Sequence, residues 1–210
     1  MKSNLNLNSP KHKTFNLKPT YILFNKPYHV LSQFSPSQGK KTLTDFGFPK
    51  NVYTIGRLDY DSEGLLLLTN DWKLKHRLEN PKFQHPRIYV AQVEEIPDEH
   101  SLKQLRNGVR IKDSSNNTNY TTLPAEVELL DEEPTIFSRS TPIRFRKNIP
   151  TSWLKIILRE GKNRQVRKMT AAVGFPTLRL VRIGIGKINM SSLKPGEWRV
   201  LTEKEIRLLF

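Results

Sequence analysis

No apolar run in this chain is longer than the four leucines Leu65–Leu68, and polar or acidic residues enclose that run on both sides. Four residues fall far short of the ~20 that a membrane-spanning helix needs. The chain must therefore hide its apolar residues in many short segments of a folded interior. Bounded by turn formers, Leu65–Thr69 reads as a buried strand. Tyr21–Phe24 reads as a strand ended by Asn25-Lys26-Pro27, and Val52–Ile55 as one that runs into Gly56. Arg87–Val93 alternates as a strand with two usable faces, and Pro124–Leu130 and Trp153–Arg159 are further strands.

Helix signals lie between these runs. Asn70 or Asp71 can cap a helix through Leu78. Pro97-Asp98-Glu99 opens another, which carries Leu102 and Leu105 and stops at Gly108. Residues 113–119 form a polar turn. Thr202 and Glu205 make a capping box for a last helix. Since no regular strand–helix–strand rhythm is present, the expected fold is α/β (α+β) with a mixed, mainly antiparallel sheet.

The charge is concentrated. The formal net charge is +15 over 210 residues. Residues 1–20 carry four Lys and no acid, and residues 139–187 carry 13 Lys and Arg against the single acid Glu160. The remainder is close to neutral. Such concentration is the footprint of a surface that tracks phosphates. Residues 1–20, rich in Asn and Lys and without periodicity, read as a disordered basic arm, which leaves 21–210 as one folded domain. No apolar stretch follows Met1 and Lys2, which speaks against a secretory signal. With no Cys in the chain, disulfides, thiolate–zinc sites and cysteine nucleophiles are excluded, and a cytoplasmic protein is expected. The five His show no ligand spacing and no glycine-rich phosphate loop exists, so neither metal nor cofactor is expected.

Two segments carry the chemistry. In the first, Asp59, Asp61 and Glu63 alternate between two apolar runs, which makes a loop at a sheet edge. Asp59-x-Asp61-x-Glu63-Gly64 matches the start of a calcium-binding loop. Asn70 stands where the bidentate Glu belongs, however, and leucines fill the ligand positions, so calcium binding is rejected. In the second, Asn163 as N-cap and Gly174 after the end predict a helix over 164–173. Val166, Met169 and Val173 share its apolar back, while Arg164, Arg167 and Lys168 form a cationic front. Asp59 in an otherwise apolar loop needs a cation or donors to stay ionised, and this helix can supply one.

The run Gly56–Asp71 resembles the active-site motif of the RsuA-type ribosomal RNA pseudouridine synthases, with Ser62 for Thr and Trp72 for Gly as departures. Glu160–Gly174, continuing through Leu178–Gly184, resembles that family's later motif, and Leu23–Pro27 its first. The resemblance covers about residues 20–201. Its wording in Ile22–Pro27, Pro150–Lys155 and Val173–Leu180 is most similar to a branch that acts on large-subunit (23S) ribosomal RNA. Members of the family commonly begin with a small S4-type RNA-binding domain; only 20 residues precede the first motif here, so none is expected.

The resemblance implies a sheet in two fused subdomains with a cleft between them. It implies Asp59 as the catalytic carboxylate, Tyr89 as the aromatic that stacks on the target base, Arg167 as the cation paired with Asp59, and Leu180 as a wall of the uracil pocket. Arg57, Arg164, Gln165 and Lys168 are further substrate-binding candidates. Tyr89 by pattern alone also fits a core position, and Arg57 also fits a structural partner for Asp61 or Glu63. The implied reaction cuts the C1′–N1 bond of a uridine, rotates the uracil and rejoins it through C5, an isomerisation that needs no cofactor. The partner is ribosomal RNA, with no membrane and no DNA, and the protein is expected to be a monomer. The rival from another class is a non-enzymatic basic RNA-binding or ribosome-assembly protein. A third reading is a metal-dependent nuclease that uses Asp59, Asp61 and Glu63.

Overall fold

The computed structural model describes residues 18–113, 118–143, 149–190 and 192–210. The basic arm falls almost wholly on residues 1–17 and lies outside the described residues, as do Arg144, Arg146 and Lys147 of the basic segment.

Strand β1 (Tyr21–Lys26) is followed by a short parallel pair, β2 (Val30–Leu31) with β3 (Lys41–Thr42). Then come β4 (Tyr53–Ile55), β5 (Glu63–Thr69), helix α1 (Trp72–Glu79) and β6 (Arg87–Glu94). Helix α2 (Glu99–Asn107) leads into the hairpin of β7 (Arg110–Asp113) and β8 (Thr118–Thr121). The chain continues through β9 (Glu126–Leu130), β10 (Thr151–Leu158), α3 (Gln165–Ala172), β11 (Thr177–Ile185), β12 (Ile188–Asn189), β13 (Trp198–Val200) and α4 (Glu203–Arg207).

One sheet runs β13-β1-β5-β11-β6-β10-β9, with β4 on β5 and β12 on β11. Its pairs are antiparallel except β5 with β11, as the missing strand–helix–strand rhythm predicts. β5 is buried along its whole length, which suits a central strand covered on both faces. Leu66 and Leu68 enter one core with Ile22 and Phe24, while Leu65 and Leu67 enter the other with Leu23 and Val90. Each such leucine contributes about 1.5–3 kcal/mol by leaving water.

The junction of the two halves of the sheet is short. β11 meets β5 only at Glu63 and Gly64, opposite Val181 and Arg182. Farther along, the same edge of β5 pairs with β4 through Leu67–Thr69. The two halves of the sheet thus share two residues of parallel ladder and diverge beside them, as the expectation of fused subdomains requires. Gly64 permits the approach: its φ is +101°, and a methyl group there would stand 2.3 Å from the Arg182 carbonyl oxygen.

The predicted caps form. Asp71 accepts from the amides of Lys73 and Leu74, Asp98 caps α2, and Thr202 with Glu205 closes a capping box on α4. Helix α3 corrects the sequence expectation. Asn163 is not its N-cap: Arg164 holds that position in the left-handed region at φ 53°, with no side-chain cap. The Gln165 side chain instead reaches back and accepts from the Lys162 amide at 3.0 Å.

Candidate active site

The loop between β4 and β5 lies at the junction of the two sheet halves and is fixed from several sides. The Gly56 amide donates to Glu79 Oε1 at 2.7 Å. Ser32 Oγ accepts from the Leu58 amide at 3.1 Å and donates to the Leu58 carbonyl at 2.7 Å, clamping both polar groups of the residue before Asp59. The Ser62 amide closes a turn on the Asp59 carbonyl at 3.1 Å, and the His29 amide donates to the Tyr60 carbonyl at 2.9 Å.

The three alternating carboxylates of this loop meet different fates. Asp61 accepts from both terminal guanidinium nitrogens of Arg164, Nη1 and Nη2, at 2.7 Å each. Arg167 adds an ion pair to Asp61 at 3.3 Å and donates Nη2 to its carbonyl oxygen at 2.6 Å. Burial pushes the Asp61 carboxyl up, but the Arg164 hydrogen bonds and the two cations outweigh it and hold the group below its usual range. Glu63 is buried against Arg179, which donates Nε at 2.9 Å and Nη2 at 3.0 Å to its two oxygens. Asp59 has no ion pair among the described residues and lines a cleft of about 640 Å³.

The expected pairing of Arg167 with Asp59 is therefore corrected: the Arg167 guanidinium sits on Asp61 and also donates to the Thr177 carbonyl at 3.1 Å. Its side chain is only 12% exposed, so it fastens α3 to the loop and is no cationic front for phosphates. Asp59 still contributes to its field, as it does to that of Arg164. Among the described residues Arg57 does not pair with Asp61 or Glu63, which take their arginines from the start of α3 and from β11; it stands exposed at the cleft. With two of the three carboxylates held by arginines, the trio does not converge on a metal.

Of the residues expected at the site, Asp59, Tyr89, Leu180, Arg57, Arg164 and Gln165 line the cleft, whereas Arg167 and Lys168 do not. Tyr89 is 9% exposed and belongs both to the core and to the cleft wall. It lies on β6 directly opposite Arg182 on β11, and Leu180 points to the same side of β11 as Arg182 because strand side chains alternate.

Arg182 was not among the expected site residues. It is 2% exposed and lines the cleft. Its Nε donates to the Leu65 carbonyl at 2.8 Å, and its Nη2 has no hydrogen-bond partner among the described residues. The buried hydroxyl of Ser62, also in the cleft wall, is likewise unpartnered. Burial lowers the Arg182 pKa, and Tyr89 acts against that shift. Buried donors without partners are rare and costly, and in a cleft they point to a ligand with acceptor oxygens. The sequence signal for Arg182 was its place two residues beyond Leu180 on the same face of one strand.

Comparison with known proteins bears on the family of this chain. A family model described as RNA pseudouridylate synthase matches residues 20–172. A Vibrio parahaemolyticus protein, ribosomal large subunit pseudouridine synthase E, is 53% identical over 187 residues, which cover 89% of this chain and 74% of the relative. A Xanthomonas campestris protein of the same name is 50% identical over 188 residues, covering 89% and 97%. A solved structure described as a pseudouridylate synthase superposes with a TM-score of 0.74 at 27% identity, covering 92% of this chain and 74% of that one. A family match over most of the chain, on a sheet that opens a cleft at Asp59, establishes that this chain belongs to the RNA pseudouridylate synthase family.

Proposed function

We propose that this protein isomerises a uridine of large-subunit (23S) ribosomal RNA to pseudouridine, with Asp59 as the catalytic carboxylate. The observation that carries the reading is the division of labour in the loop: Asp61 and Glu63 are held by arginines, and Asp59 alone of the three lines the cleft, with no ion pair among the described residues. The relatives named as large-subunit enzymes support the choice of RNA.

The target nucleotide must leave its stack to reach such a cleft, at a cost of a few kcal/mol. Tyr89 offsets part of that by stacking on the uracil, worth about 1–3 kcal/mol. Leu180 walls the base, and Arg182 Nη2 with Ser62 Oγ supplies donors to its carbonyl oxygens. Cleavage of the C1′–N1 bond leaves the electron pair on the uracil, and the Arg182 cation lies where it stabilises that developing charge. Asp59 acts on the exposed nucleoside; bond re-formation at C5 draws on the uracil's electron pair, the C5 proton is then released and N1 takes up a proton, so that product and substrate are isomers. Arg57 at the cleft mouth meets flanking phosphates, together with the basic arm of residues 1–20. Residues 21–210 form the catalytic unit. No second copy is needed to complete the cleft, which supports a monomer, and ribosomal RNA as substrate supports a cytoplasmic site of action.

The test is pseudouridine mapping of large-subunit ribosomal RNA from cells with and without the gene, repeated on transcripts treated with purified protein. Loss of one modification in the cells and its restoration by the protein is the expected result. Identical maps would overturn the assignment.

A further inference from the structure

Next to the cleft stands a column of side chains that the reaction does not use. His29 follows β1 in the left-handed region at φ 58°. Its ring lies between Tyr28, at 3.8 Å and 25° between planes, and Tyr60, at 4.6 Å and 9°. Both ends carry cations. The Arg139 guanidinium carbon is 4.1 Å from the Tyr28 ring centre, and Lys40 Nζ is 5.1 Å from that of Tyr60. Four separate stretches of sequence thus build one stack, and its Tyr60 is the residue directly after Asp59.

The column is not a piece of core. His29 and Lys40 are exposed, and Tyr28, Tyr60 and Arg139 are partly so. Exposed cation–π contacts contribute little to folding. Among the described residues neither Lys40 nor Arg139 has a carboxylate within ion-pair distance. Yet Arg139 is held in place: its Nε donates to the Thr141 carbonyl. Its connector is pinned where the Phe137 carbonyl accepts from Arg179 Nη2 at 2.7 Å, the same arginine that pairs with buried Glu63. A fixed, partly exposed guanidinium without an anion, tied to the catalytic loop through Glu63, is a prepared surface.

We infer that Arg139, backed by the Tyr28–His29–Tyr60 stack, is a nucleobase subsite for the RNA strand beside the target nucleotide. An unpaired base stacks on the guanidinium plane and continues the column, while adjoining phosphates meet Arg139 and Lys40. Extruding a nucleotide strips its neighbour of a stacking partner, and this subsite replaces it. Since every base has a π-face, the subsite selects for single-strandedness at that position and not for sequence. The inference rests on the proposed activity for the identity of the strand.

The experiment takes the fragment of large-subunit ribosomal RNA that the protein protects from nuclease and places an abasic nucleotide at successive positions. Dissociation constants are measured for wild type, Arg139→Ala and Arg139→Lys, with pseudouridine formation scored in parallel. For wild type, one position beside the target uridine, distinct from the uridine itself, is expected to weaken binding about tenfold when abasic. Arg139→Ala should weaken binding of intact RNA by a similar factor, respond no further to that abasic site, and lower the salt dependence of affinity by about one unit. Arg139→Lys should keep the salt dependence but lose the response to the abasic site. A flat abasic scan in wild type, or an undiminished response in Arg139→Ala, overturns the subsite. Absence of pseudouridine with the abasic pattern intact would instead overturn the activity and leave the subsite standing.

Discussion

Arg164 grips Asp61 through both carboxylate oxygens, each at 2.7 Å, and so ties helix α3 to the loop that carries Asp59. The basic helix and the acidic loop are one unit, but the contact runs one carboxylate away from the proposed catalytic one. That spacing leaves Asp59 available to the substrate.

Neighbouring carboxylates should therefore respond differently to the same change. Asp59→Asn is expected to abolish pseudouridine formation while RNA affinity stays within about twofold, because it removes a group that acts on the reacting atoms only. Asp61→Asn should keep measurable turnover at about a tenth of the rate, since it loosens α3 without touching the chemistry. Single-turnover kinetics on one transcript compares the two. Full activity in Asp59→Asn would refute its role.

Arg182→Met should separate stability from activity. Removing a buried cation that has no ion pair among the described residues is expected to leave the melting temperature equal or higher. The chemical step should slow by about 10²–10³, the loss typical of a donor aimed at developing charge. Thermal melts beside single-turnover rates test this; a collapsed melting temperature would mark Arg182 as structural.

Glu63 and Arg179 are about nine-tenths buried or more. Breaking such a pair from one side leaves an uncompensated interior charge, so Arg179→Met should cost about 3–5 kcal/mol in urea unfolding. Glu63→Met combined with Arg179→Met should recover part of that. The remainder would report the lost hold on the Phe137 carbonyl.

Lys26 is fully buried, donating to the Pro27 and Val30 carbonyls at 2.9 and 2.8 Å. Burial lowers its pKa from 10.5 to about 7, against the pull of Glu63, Asp59 and Asp61. The unfolded chain therefore holds this proton more tightly than the folded one. The penalty is complete below about pH 7 and fades as pH rises toward 10.5. Unfolding free energy should climb between pH 7 and 9 through this group, and Lys26→Met should flatten the climb. An equal slope in both proteins would contradict the assignment.

Much of this was legible along the chain. The Leu65–Leu68 run, short and bounded by turn formers, read as a buried strand, and the caps at Asp71, Asp98 and Thr202 are local hydrogen bonds that neighbours in sequence determine. The segments Gly56–Asp71 and Glu160–Gly174 marked the site for the same reason: their residue types are informative before they meet. The start of α3 was not legible, because Arg164 takes a left-handed backbone in which its guanidinium meets Asp61, 103 residues away.

The sequence by itself determined most of the short strands, the caps at Asp71, Asp98 and Thr202, and an acidic loop to which a basic helix could supply a cation. Which carboxylate each arginine takes was decided only by the tertiary structure. Asp59, Asp61 and Glu63 are chemically alike and two residues apart, and an arginine on a long flexible side chain can reach any of them. The two-residue ladder at Gly64 and the register of β11 place Arg179 on Glu63 and Arg182 under the cleft. The column of Tyr28, His29, Tyr60, Lys40 and Arg139 likewise carries no linear signal, because its order exists only across the stack.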